Sequence, residues 1–393
     1  MAAYTRAQVD NCAFRAWYPS FEHVSIKSVV VALPPAFVAL ILADGVVLPD
    51  AHSSKQHVEL EQQQQALQSV REQVEATLRR FKGKVFPKLN WSCPRDASWM
   101  LGTMQCVNFE DVFLLLKSSD FVVHDISEAY ASCTAPDAIV PQSQQDEAST
   151  GEEAAAAVAV PVTRNGPEEV YLVLKKWCSF YDSMLFRCFV VNHSLVGVSQ
   201  RNCDEYYAFL FDQQDHLCEL IYNFFEKYFF RESTDGATKK QRAKSAIFPD
   251  ADFIFDVYVD KQNRVYLLDI NVFGAVTDTL LFTWDELLEL REANTRSRNV
   301  SAGNDSDDDD EDEVQDVVDF RIVESEQAIR PNPLSGYRVP TDLVDHLAGG
   351  SGFEAFMEQV KRDNANAEDS DSSSDAQEED DDDDVVWGSD NDD

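Results

Sequence analysis

Apolar residues change their spacing from stretch to stretch along this chain. Over residues 56–82, Val58, Leu67, Val70, Val74, Leu78 and Phe81 recur three or four positions apart, with Gln and Glu between them. That period predicts one amphipathic helix. Residues 28–49, SVVVALPPAFVALILADGVVLP, are nearly all apolar but are broken by Pro34 and Pro35. They predict a short strand, a helix begun by proline and a second short strand, each run far below the ~18 unbroken apolar residues of a membrane span. Residues 170–176, 185–191 and 195–199 predict strands, the last two joined by a tight turn at Asn192-His193. The aromatic-rich stretch 204–230 predicts a helix, and 253–259 with 264–271 predict a strand pair about the turn from Asp260 to Asn263. Strands, hairpins and helices are mixed, so the class is α/β or α+β with antiparallel sheet.

Composition divides the chain further. With 393 residues, 44% of them hydrophobic and 11% aromatic, it has the means to build a core. Its net charge of −38 is unevenly placed. Residues 301–320 hold ten acids and 363–393 hold fifteen, with no Lys or Arg in either, which leaves about −13 for the rest. Nonspecific binding to nucleic acid or to anionic membranes is therefore disfavoured, since both require positive patches. Three stretches, 131–167, 299–319 and 363–393, combine low hydrophobicity with polar or like-charged residues and are expected to be disordered. Within them, Ser306 and Ser370 precede acids and suit an acid-directed kinase. The opening MAAYTRAQVDNCAF has no basic and then apolar signal-peptide pattern. The eight cysteines show no C-x-x-C spacing, and reduced core thiols of a cytoplasmic protein are expected.

Chemistry concentrates in the strand pair 253–271. Side chains alternate along a strand, so Asp269 and Asn271 share a face, and the turn sets Asp256 nearly opposite Asp269. Three oxygen ligands on one patch suit Mg²⁺, which takes few protein carboxylates and leaves room for phosphate oxygens. On spacing alone the same acids also fit a solvated face. Cations for phosphate are available in Lys117, Lys175, Lys176, Arg187 and Arg201. A lysine at a strand end is usually a surface residue, but Arg187 interrupts an apolar strand and calls for a partner. Trp177 and Phe180 suit either a core or a stacking platform for a base. No Walker A, G-x-G-x-x-G, H-E-x-x-H or G-x-S-x-G motif occurs.

Several blocks together resemble the cell division cycle protein 123 family of eukaryotes. They are WYPSFEHVSIKSVVVALPPAFVALILADGVVLP at 17–49, FPKLNWSCPRDASWM at 86–100, VFLLLKSSDF at 112–121, LVLKKWCSFYDSMLFRCFVVNHSLVGVSQRNCDEYY at 172–207, DFIFDVYVDKQNRVYLLDINVFGAVTDTLLFTWDEL at 252–287 and SGYRVPTDLVD at 335–345. The resemblance implies an ATP-grasp-like, two-lobed fold with ATP and Mg²⁺ between the lobes. It implies that Lys117 and Lys175 contact phosphates. Lys176, Trp177 and Cys178 would line the adenine, Arg187 and Arg201 would face the phosphates, and Asp256, Asp269 and Asn271 would hold Mg²⁺. Residues 1–130 would then form an N-terminal lobe and 168–298 the lobe with the nucleotide and metal site. The stretches 131–167 and 299–319 would be inserts, 320–362 the C-terminal part of the fold and 363–393 a tail. Val272 stands where the family pattern leads one to expect proline and is expected to loosen the strand exit; Ala275 stands where glutamate is expected. The family implies an assembly chaperone for eukaryotic translation initiation factor 2 that binds its gamma subunit, acts in the cytoplasm as a monomer, and touches neither nucleic acid nor membrane. Two alternatives stand beside it: a carboxylate–amine ligase of the ATP-grasp kind, and an acidic interaction protein that needs no nucleotide.

Overall fold

The computed structural model describes residues 3–43, 54–134, 165–232, 244–301 and 318–331. The second strand expected within 28–49 falls outside the described residues. So do most of the two inserts, residues 332–362, and the tail with Ser370; Ser306 lies outside as well. Helices α1 (Arg6–Asn11) and α2 (Phe14–Phe21) lead into strand β1 (Ser28–Ala32), helix α3 (Pro35–Leu42) and the long helix α4 (Ser54–Arg80). Strand β2 (Val85–Lys88) and helices α5 (Phe109–Lys117) and α6 (Asp120–Ser127) follow. Next come β3 (Tyr171–Lys176), β4 (Leu185–Val191), β5 (Ser194–Gln200) and helix α7 (Leu210–Tyr228). The small pair β6 (Phe230–Glu232) and β7 (Lys244–Ala246) precedes β8 (Phe253–Val259), β9 (Val265–Val272), helix α8 (Trp284–Ser301) and β10 (Asp319–Arg321).

Local chemistry explains the ends of these elements. Thr5 and Gln8 form a reciprocal capping box on α1. Asn108 and Ser119 accept from the backbones of Asp111 and Val122 to start α5 and α6. Asn192 and His193 both take left-handed φ values, 51° and 61°, as a two-residue hairpin turn requires. Helix α7 begins at Leu210, not at 204 as the aromatic spacing suggested, because backbone carbonyls of Asn202 and Glu205 are held by the side chain of Gln200.

Two sheets carry the fold. The smaller runs β1-β3-β2, antiparallel throughout. The larger runs β10-β5-β4-β8-β9, antiparallel except that β10 joins β5 in parallel. Alternation divides the small sheet: Leu172 and Leu174 enter a core with α3, α4 and α5, whereas Val173 enters the core of the larger sheet. Every residue of β8 is buried, since α2 and α7 cover one face of that sheet and Phe282 and α8 the other.

Sequence boundaries and spatial ones differ in three ways. Strand β3, within 168–298, is the middle strand of the small sheet, while α1 and α2, within 1–130, pack on β9 of the large one. The stretch 131–167 is shorter as an insert than its composition suggested: Thr134 bonds the carbonyl of Tyr4, and Tyr130 N–H donates to Asn165 O. Ser301 ends α8 and Asp319 starts β10, so both belong to the fold. None of the eight cysteines forms a disulfide; only Cys12, Cys106 and Cys188 are fully buried, so the expectation of core thiols holds for these three.

Candidate functional site

The site forms where the edge strand β9 of the large sheet meets β2 and β3 of the small one. Asp256 and Asp269 stand directly opposite in the β8–β9 ladder. Just beyond, the register shifts: Val257 pairs Leu267, so Leu268 is an extra residue on β9. That bulge keeps Asp269 and Asn271 on the face of Asp256. It also presents the Leu268 carbonyl to Lys175 Nζ, at 2.6 Å.

The two carboxylates have different company. Asp256, 3% exposed, accepts Arg187 Nε at 2.7 Å and Arg187 Nη2 at 2.8 Å, with Arg201 Nε at 3.2 Å. A solvated face is thus excluded for it. Burial alone would raise its pKa, but Arg187 and Arg201 outweigh that and hold it well below the usual carboxylate range. Arg187 spends its third nitrogen on Asp278 O at 2.7 Å. Burial would lower the pKa of Arg187, and Asp256 more than compensates.

Asp269 gives one oxygen, Oδ2, to Lys88 Nζ at 2.7 Å. Its Oδ1 is buried without a hydrogen-bond partner, as is the Nδ2 of Asn271. Buried polar atoms of this kind are uncommon, and two of them on neighbouring side chains of one strand face leave room for a water, an ion or a ligand. Lys88 is fully buried and also donates to Trp91 O. That carbonyl is positioned by Asp125, which accepts from the backbones of Trp91 and Ser92 at 3.1 and 2.7 Å. Burial lowers the Lys88 pKa, but the Asp269 charge reverses this and leaves it above the ordinary lysine value. Lys175 lies over the Phe14 ring and has no carboxylate as close, so burial brings it down to about 8. Arg201 feels Asp256 first, in favour of its charge; burial with Arg95 and Arg187 nearby brings it to about 10. Beyond Asn271 opens a cavity of about 430 Å³ lined by Tyr4, Cys12, Phe121, His124 and Val276 among others.

The remaining expected residues are placed as follows. Trp177 stacks on Phe86 with centroids 6.4 Å apart. The N–H groups of Lys176 and Trp177 are engaged by Lys27 O and Lys84 O, and the Cys178 thiol turns to Lys176 O. Lys117 does not join the cluster. Its Nζ donates to Leu40 O and Ala43 O, both at 2.8 Å, where a cation suits the carbonyl end of α3. Val272 continues β9, buried and paired with Phe253, so the strand exit is not loosened; Ala275 is exposed. Gly274 lets the Tyr4 ring close against the end of β9, where a Cβ would meet that ring at 2.2 Å.

Two contributors escape a reading by motif. Lys88 sits inside the apolar Val-Phe-Pro-Lys-Leu, and a charge in such a run was the available signal. Arg95 acts on Lys175, Arg201 and Asp256 through space, and no spacing rule marks it. Among the described residues, no group of three or more His, Cys, Asp or Glu side chains is placed to hold a metal. An ion at Asp269 would draw on the amide of Asn271 and on ligand oxygens, the donor set Mg²⁺ accepts alongside phosphates.

The fold and the site define a mixed helix and antiparallel-sheet protein with a cation-rich, incompletely paired acidic centre where its two sheets meet. A model of the D123 family matches residues 17–347, and the chain belongs to that family. It is 34% identical to the translation initiation factor eIF2 assembly protein of Xenopus tropicalis, over 93% of this chain and 99% of that protein. It is 31% identical to the cell division cycle protein 123 of Aspergillus terreus, over 94% and 92%. It is also similar to the solved structure of Cdc123 from Schizosaccharomyces pombe, with a TM-score of 0.52 and 32% identity over 74% of this chain and 94% of that one. No helix among the described residues is long and apolar enough to cross a membrane.

Proposed function

We propose that this chain is an assembly chaperone of translation initiation factor eIF2 that binds ATP and Mg²⁺ where its sheets meet, in an ATP-grasp-like arrangement. The observation that carries the nucleotide reading is the unpartnered Asp269 Oδ1 beside Asn271, with Lys88 and Lys175 next to it and Arg201 and Arg95 acting on the opposite Asp256. The assembly role is supported by relatives whose names state it over nearly the whole chain. Asp269 and Asn271 would hold the ion, with Asp256 fixed beside them by Arg187. When bound there, Mg²⁺ would neutralise phosphate charge. Lys175 and Arg201 bind and orient the phosphates, and Lys88 holds Asp269 in place. Trp177, braced by Phe86, offers its ring to the adenine beside Lys176 and Cys178.

Because Lys88 and Lys175 lie on the small sheet and Asp269 on the large one, a ligand bound to both fixes the sheets relative to each other. A ligand that prefers one arrangement shifts the population towards it. The chain then presents one surface to the gamma subunit, as a cytoplasmic monomer, without nucleic acid or membrane.

Titration calorimetry of the full chain with ATP and Mg²⁺ tests this, beside Asp269→Ala and with purified gamma subunit added. Saturating heat that the variant loses, and tighter subunit binding with ATP, are expected. No heat from the wild type overturns the nucleotide reading. Continuous turnover heat reopens the ligase reading, and analysis of the products formed with ATP then decides it.

A further inference from the structure

The loop between β5 and α7, with the first turn of that helix, carries an aromatic ridge that the nucleotide site does not use. Phe209 and Phe211 are 45% and 43% exposed. Tyr206 lies 6.2 Å from Phe211 and Tyr207 lies 6.1 Å from Phe209, ring centre to ring centre. The ridge is built on a fixed support. The buried Gln200 amide donates to Asn202 O at 2.5 Å and Glu205 O at 2.9 Å, and accepts from Val323 N at 3.0 Å. The Tyr207 hydroxyl donates to Glu205 Oε2 at 2.7 Å and accepts from Asn202 Nδ2 at 3.1 Å. Rigid aromatic side chains lose little freedom when they are covered, and such anchors dominate binding energy at interfaces.

Charge along the ridge segment itself has one sign. From Asn202 to Glu226 there are six carboxylates and no Lys or Arg. Glu205, Asp212 and Asp215 are exposed beside the rings. The Arg330 backbone meets Cys203 O at 2.8 Å, but its guanidinium is turned to Leu280 O.

We propose that this ridge docks the partner subunit through a surface of Lys and Arg side chains set around apolar hollows. The proposal rests on the assembly reading above. Apolar contact supplies the affinity, and the acidic rim steers approach of the basic face and sets its register. The same strand end that leads into this loop carries Arg201, so the docking face and the phosphate cluster share one rigid support.

The test uses the full chain, purified gamma subunit and surface-immobilised binding kinetics at low and high salt. The Phe209→Ser/Phe211→Ser variant is expected to bind about 30-fold more weakly, mostly through faster dissociation. Asp212→Lys/Asp215→Lys is expected to associate about tenfold more slowly and to lose most of the salt dependence. Both should give the wild-type heat with ATP and Mg²⁺. If the wild type binds the subunit and both variants match it, the ridge proposal falls alone. If the wild type binds no subunit, the assembly reading falls and takes the ridge with it. A wild-type dimer that the variants lose, or protection of residues 332–362 from protease that they lose at unchanged subunit affinity, gives the face to another occupant and overturns the proposal.

Discussion

Asp256 and Asp269 face each other across one ladder, yet the protein treats them differently. Asp256 is enclosed: two arginines saturate it, and Arg187 is itself completed by Asp278 O. Asp269 is left open, with one oxygen on Lys88 and the other on nothing. The first arrangement is finished without a ligand, and the second is not. Identical side chains in paired positions thus divide into a structural half and a binding half.

The strongest way to break that division is Asp256→Ala. It would strand the Arg187 guanidinium in the interior, and breaking a buried pair costs about 3–5 kcal/mol. A denaturant midpoint within error of wild type would show that Asp256 is not structural. Next, Asp269→Asn keeps an acceptor for Lys88 and should cost about 2 kcal/mol, while heat with ATP and Mg²⁺ disappears. Equal destabilisation by the two substitutions would abolish the distinction.

Lys175 sharpens the contrast through pH. Its folded pKa of about 8 lies below the unfolded value near 10.4. Below about 8 both states carry the proton, and the fold bears the full penalty of a buried charge. Between the two values the unfolded chain binds more protons, so stability rises with pH there. Lys175→Met should remove that rise, and unfolding curves from pH 8 to 10.5 would show an unchanged slope if burial is not the cause. The smallest effect is expected from Asn271→Ala. Its Nδ2 makes no hydrogen bond, so stability should stay within about 0.5 kcal/mol. Affinity for Mg²⁺ with ATP should fall at least about tenfold, and parallel thermal and binding titrations would separate the two.

Much of this site could be read from residue order. Period two put Asp269 and Asn271 on one face, and the turn put Asp256 nearly opposite Asp269; the observed pairing needs the extra residue Leu268 on β9, which no spacing rule displays. Arg187, odd in an apolar strand, did have a buried partner. What order could not supply was which cation each acid meets. Lys88 lies 181 positions from Asp269, and only the approach of two sheets joins them. The same holds for Lys117, which ends α5: its partners, the carbonyls at the end of α3, lie 77 and 74 positions away, and no motif displays them. Helix α7 starts later than the aromatic spacing predicts because the Gln200 side chain, two and five positions away, holds the carbonyls of Asn202 and Glu205 in a loop.

The parallel strand β10 has a consequence in time. It reaches β5 from far along the chain, so while the protein is being made the outer side of β5 waits unpaired until Asp319–Arg321 leaves the ribosome. An open strand edge is an invitation to stick to neighbours. The chain that emerges just ahead of β10 is its acidic run, Asp307 to Glu313, so repelling charge joins the growing protein at the end of that interval, as β10 arrives. Shortening or neutralising this run should then leave the finished protein as stable as before and lower only the yield of protein that reaches it.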